Sequence, residues 1–166
     1  MSDPLSDGAP QGIPASRRRA MQGFVLVGFI AITAGGLVAA VTGPTGFADG
    51  SWVAAYLVLV AGVAQVGLGV GQALLAAVVP SGRRRGWQLV VYNVANAAVI
   101  GGTLIESVAV VVAGAVMLFA ALILFLAAVR RRSGTHPWYL AIYRVLLAIL
   151  GVSIPVGVAL SMLRHG

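Results

Sequence analysis

Apolar residues along this chain come in long runs separated by short polar punctuation. A helix crossing a hydrocarbon core of about 30 Å needs about 20 apolar residues at 1.5 Å per residue. Runs of about that length cover residues 21–43, 52–79, 87–103, 105–129 and 138–163. The pattern predicts an all-α integral membrane bundle of five transmembrane helices. Residues 1–20, MSDPLSDGAPQGIPASRRRA, are rich in Pro, Gly, Ser and Asp and are expected to be a disordered cytoplasmic tail, with 21–166 as the transmembrane domain.

Arginine sets the orientation. Three triplets, Arg17-Arg18-Arg19, Arg83-Arg84-Arg85 and Arg130-Arg131-Arg132, each sit beside a run end, alternating with connections that hold no basic residue. Because arginine resists translocation, all three belong on the cytoplasmic side, which makes the topology N-in/C-out. As one helix, Trp87 to Val129 would extend about 65 Å at 1.5 Å per residue. With triplets at both ends it must cross an even number of times, so a reversal is expected near Gly101 and Gly102. Thr103-Leu104-Ile105-Glu106 has the form of a capping box for the fourth helix, and this explains Glu106 more simply than proton coupling does. Ser51 suits the cap of the second helix, and Thr135 with Pro137 the start of the fifth. Ser16-Arg17-Arg18-Arg19 loosely resembles a twin-arginine signal, but the apolar run that follows is long for a cleaved signal, so a retained helix is expected.

Composition removes the other classes. Of 166 residues, 60% are hydrophobic and 9% charged, with a mean hydropathy of +0.99. A soluble domain is charged at about a quarter of its positions. The net charge of +7 comes from arginine clusters between apolar runs, so no nucleic-acid partner is expected; the clusters face anionic lipid headgroups instead. There is no cysteine, and the two histidines, His136 and His165, fall at opposite membrane faces. No catalytic residue, metal site or cofactor is expected, and no enzyme activity. Eleven arginines without a lysine, together with abundant Ala, Gly and Val, point to a GC-rich bacterial genome and hence a multi-pass protein of the bacterial inner (plasma) membrane.

At an offset of 51 the chain aligns with itself. Trp87, Leu89, Tyr92 and Val94 fall on Trp138, Leu140, Tyr143 and Val145, and an arginine triplet precedes both tryptophans. Two readings follow. One is a parallel duplication of a two-helix unit, helices two and three onto four and five, about an axis along the membrane normal. The other is a cytoplasmic aromatic belt on two helices of the same orientation.

The third helix carries a polar stripe, Tyr92, Asn96, Thr103 and Glu106, with Asn93 beside it. Arg144 is the one arginine inside an expected span; it either snorkels to the headgroups or is buried opposite Asn93. Under the duplication, Tyr92, Asn93, Asn96, Tyr143 and Arg144 converge as a candidate ligand-binding site for an anionic group. Gln65 and Gln72 share one face of the second helix with Gly67 and Gly71, whose spacing suits close packing. Pro155 is expected to kink the fifth helix near Gly151 and Ser153. Three functions compete, of which a membrane-embedded enzyme is the hardest to support with four carboxylates and two histidines. The first is a non-catalytic accessory or interaction subunit of a membrane assembly, as an oligomer of itself or in a larger complex. The alternative is a small transporter or channel for a small or anionic solute, with a polar site between helices three and five.

Overall fold

The computed structural model describes residues 13–129, 138 and 141–152, and among these the structure is helical with no strand. Helix α1 runs Ala15–Thr45, α2 Gly50–Leu75, α3 Gly82–Leu104, α4 Val108–Val129 and α5 Ala141–Val152. Three of them, α1, α2 and α4, are long and apolar enough to cross a membrane. α3 is long enough but carries Gln88, Asn93 and Asn96, and the described part of α5 is short. The third arginine triplet, Thr135, both histidines, Pro137 and Pro155 lie outside the described residues.

Helix ends depart from the sequence expectation for local reasons. α1 begins at Ala15, so its arginines ride on the first turns of the helix and not on a preceding tail. α2 stops at Leu75, with Ala76 extended, and Pro80 closes the way to further helix. Ser81 then caps α3, its Oγ accepting from the Arg84 amide at 3.4 Å, so Arg83–Arg85 also lie within a helix.

The α1–α2 and α3–α4 turns share one geometry. After α1, Gly46 takes φ 64°, its amide donating to Gly43 O while the Phe47 amide donates to Thr42 O. After α3, Glu106 takes φ 55°, donating to Thr103 O while Ser107 donates to Gly102 O. Both are Schellman turns with a left-handed residue after the helix. The expected capping box is therefore replaced: Thr103 lies inside α3 with its Oγ1 bonded to Val99 O, and Glu106 is the pivot of the turn. Gly101 faces open space, whereas at Gly102 a Cβ would come within 2.7 Å of the Val111 amide.

Glycine decides how closely the helices approach. On the α1–α2 seam, a Cβ at Gly28 would lie 3.0 Å from Gly62 O, and one at Gly62 would lie 3.1 Å from Gly28 O. Gly69 seats the Phe24 ring, and Gly67 and Gly71 seat Leu146 and Tyr143 of α5. In the α3–α4 hairpin, a Cβ at Gly114 would meet the Val99 amide at 2.8 Å and Ala95 O at 3.0 Å. α2 is thus in contact with α1, α3 and α5, and the core between them holds Phe24, Leu68, Tyr92, Leu118, Phe125 and Tyr143.

The base of the α1–α2 hairpin is tied by Arg17. Its guanidinium donates to Ala73 O at 2.6 Å, Leu74 O at 3.1 Å and Ala76 O at 3.3 Å, capping the carbonyls that end α2.

Two tests follow from this geometry. Glu106→Gly should raise stability by about 1 kcal/mol by relieving the left-handed side chain, measured by denaturant titration in detergent. Gly114→Ala should destabilise, because the atoms it meets are backbone and cannot yield, whereas Gly36→Ala, which meets nothing within 4 Å, should be neutral or stabilising by up to about 1 kcal/mol. Equal losses for the two alanines would refute the close packing of α3 on α4.

Candidate functional site

Polar side chains in the bundle interior form a column along α2. Sixteen residues separate Tyr56 from Gln72, about four and a half turns at 3.6 residues per turn, which would set them on opposite sides of an ordinary helix. Residues Leu57–Ala64 are wound instead with π-type bonding, whose wider turns take up the half turn. Both ends of α2 consequently face α3. Tyr56 donates to Asn96 Oδ1 at 3.0 Å, and Gln72 Nε2 donates to Gln88 Oε1 at 3.0 Å. Between them, the Tyr92 hydroxyl donates to Val60 O in the middle of the widened stretch at 2.6 Å.

At the arginine end the column spreads to a third helix. Gln88 Nε2 donates to Leu124 O of α4 at 3.2 Å, so one relay of amides joins α2, α3 and α4. On the next carbonyl of α4, Phe125 O accepts the Tyr143 hydroxyl of α5 at 3.4 Å. Gln65 Nε2 reaches Phe24 O of α1 at 3.5 Å. Gln65, Gln72 and Gln88 are all buried, and the Oε1 atoms of Gln65 and Gln72 find no partner among the described residues. The relay fixes which atom is left over: Leu124 O can only accept, so Gln88 gives it Nε2 and turns its oxygen toward Gln72, which must offer its own nitrogen.

Of the five sequence candidates, three are buried, Tyr92, Asn96 and Tyr143, but they do not form one site: Tyr92 stacks edge-on to Phe125 with centroids 6.1 Å apart and Tyr143 bonds Phe125 O, whereas Asn96 pairs with Tyr56 further along α2. Asn96 Nδ2 bonds back to Tyr92 O. Asn93 is half-buried, its amide on Leu89 O of its own helix. Arg144 is exposed on α5 and does not join them. Sequence reasoning missed Gln88 and Tyr56. Gln88 lies one turn before Tyr92 on the same stripe and could have been found by extending it; Tyr56 was hidden by the change of winding in α2.

Tyr92 and Tyr143, which align in sequence, each donate a hydroxyl to a carbonyl of the preceding helix, but the acceptors do not align: Val60 lies 32 residues before Tyr92 and Phe125 18 residues before Tyr143. Trp87 and Trp138, which also align, are both exposed. Among the described residues no three His, Cys, Asp or Glu side chains come together as metal ligands. No protein-family model matches the chain, and no curated protein or solved structure matches it significantly.

Gln88→Met should cost about 1–2 kcal/mol, since it leaves Gln72 Nε2 unpaired in the core and removes the link from α3 to Leu124 O. The double variant Gln72→Met/Gln88→Met should cost less than the sum of the singles, because both ends of the broken bond are then apolar. Additive losses in equilibrium unfolding would show that the two amides do not act together.

Proposed function

We propose that this chain is a non-catalytic, multi-pass subunit of a membrane assembly, carried in a bacterial inner membrane with five spans, N-in/C-out. The observation that carries the reading is the use made of the interior polar groups. Tyr56, Tyr92, Asn96, Gln88 and Tyr143 are all engaged in bonds that join helices or fold back on their own. Groups already paired with one another are poor candidates for binding a passing solute, because each would have to lose a partner in a dry core. The outer faces are broadly apolar, with Leu26, Phe29, Ile30 and Leu37 of α1 and Val116, Phe119 and Ile123 of α4 exposed. Such faces accept lipid or a neighbouring membrane helix equally well. The duplication of helices two and three onto four and five is part of the proposal, supported by the aligned Trp87/Trp138 and Tyr92/Tyr143 of the sequence.

The transporter reading keeps one specific support, the two unpaired glutamine oxygens beside the core. Vesicles reconstituted with the purified chain separate the two. We expect small-anion efflux no faster than from protein-free vesicles, and migration in a larger complex after mild solubilisation. Saturable efflux abolished by Asn96→Ala would overturn the subunit reading. Tags placed ahead of residue 1 and after residue 166 should be accessible from opposite sides; accessibility from the same side would overturn the threading.

A further inference from the structure

α1 and α3 run parallel and are neighbours near the arginine end, where a Cβ added at Gly23 would meet Leu89 Cδ2 at 3.8 Å. One helical turn earlier on each helix stand Arg19 and Arg85. Four residues is slightly more than one turn of 3.6, so Arg19 keeps the side of α1 that Gly23 presents, and Arg85 the side of α3 that Leu89 presents. The two arginines therefore flank one junction at one depth. The Arg85 guanidinium folds over Gly82 on that face, Nη2 lying 3.9 Å from where a Cβ on Gly82 would be; Arg85 is half-buried and Arg19 exposed.

This arrangement concentrates positive charge. The N-termini of two parallel helices meet here, adding their positive dipole ends to the side chains. Arg17 is occupied with the α2 carbonyls and does not compete for an anion. Of the chain's four carboxylates, Asp49 and Glu106 lie at the far end of the bundle, and Asp3 and Asp7 fall outside the described residues. Two guanidinium groups that reach the same junction repel unless an anion lies between them, and the planar donor fork of arginine matches phosphate oxygens. Depth selects the source of that phosphate. Trp87 is exposed half a turn beyond Arg85, where an indole marks the interface between hydrocarbon and headgroups.

We infer that Arg19 and Arg85 form a binding site for the phosphodiester of an anionic phospholipid at the α1–α3 junction, its acyl chains lying along the exposed faces of the two helices. The site rests on the membrane reading above, with the arginine-bearing helix ends at one face, and is independent of which assembly the chain joins.

The test is lipid retention by the full chain, purified from mixed vesicles of phosphatidylcholine and phosphatidylglycerol and read by native mass spectrometry. The chain should retain phosphatidylglycerol in preference to phosphatidylcholine, and Arg19→Gln/Arg85→Gln should reduce that retention about tenfold or more. Arg18→Gln/Arg84→Gln removes the same charge from positions about 100° round each helix from the junction, at 3.6 residues per turn, and should reduce it less than about threefold. Arg19→Lys/Arg85→Lys keeps the charge without the planar fork and should fall between the two, which guards against a glutamine pair that fails to fold. Absence of phosphatidylglycerol preference, or equal losses for the two glutamine pairs, would overturn the site. So would full displacement of the lipid by millimolar inorganic phosphate, which would assign the arginines to a free anion. The tag experiment reads the threading separately: tags on opposite sides with no lipid preference would end this site and leave the topology standing.

Discussion

In a bilayer nothing pushes helices together, because a lipid tail is as good a neighbour for leucine as another leucine is. Association then depends on two short-range effects, backbones close enough for dense van der Waals contact and polar groups whose alternative is to remain unpaired in hydrocarbon. Both are concentrated on α2. Its glycines admit α1 on one side and α5 on another, and its amides and main-chain carbonyls are bonded to α3 and α1. The small residues abundant in the composition are therefore placed with purpose: Gly28, Gly62, Gly69, Gly71, Gly102 and Gly114 all stand where a methyl group would strike a neighbour, while Gly36, Gly43 and Gly101 face open space.

The widened winding of α2 links this packing to the polar interior. A helix held at 3.6 residues per turn could present Tyr56 or Gln72 to α3, but not both. The irregular stretch brings the two ends into phase and leaves Val60 O beneath the Tyr92 hydroxyl. A polar column bonded in this way holds three helices in register more firmly than it serves as a conduit, which is why the subunit reading is preferred. The two leftover oxygens of Gln65 and Gln72 are the exception, and they sit on the helix that everything else packs against.

Much of the architecture was legible because membrane sequence signals are coarse. Runs of apolar residues showed where helices lie, and the stripe through Tyr92 and Asn96 showed which face of α3 turns inward. The spacing of Gly67 and Gly71 announced a close contact, although not that Tyr143 and Leu146 would fill it. The reversal between α3 and α4 was expected at the glycine pair and occurs a few residues later. A glycine pair reads as a breaker in water, but inside the bundle Gly102 serves contact with α4, and the turn falls to Glu106, which carries no glycine signal. Tyr56 was unreadable because helical phase was extrapolated through a stretch that does not keep it. Arg144 was ambiguous in sequence because a long cationic side chain near a helix end can turn either way; its exposure on α5 follows from Tyr143 and Leu147 taking the inward positions.

Arg17 gives the first hairpin an uncommon mechanical character. A pair of antiparallel helices is usually joined at one end and free to splay at the other. Here the Gly46 turn closes the top and a guanidinium clasps the bottom, so α1 and α2 form a closed frame in place of a pair of tongs. A torque applied to either rod passes to its neighbour at both extremities, so the two tilt as one rigid panel, to which the α3–α4 pair is pinned by the bonds of Tyr56, Gln72 and Tyr92.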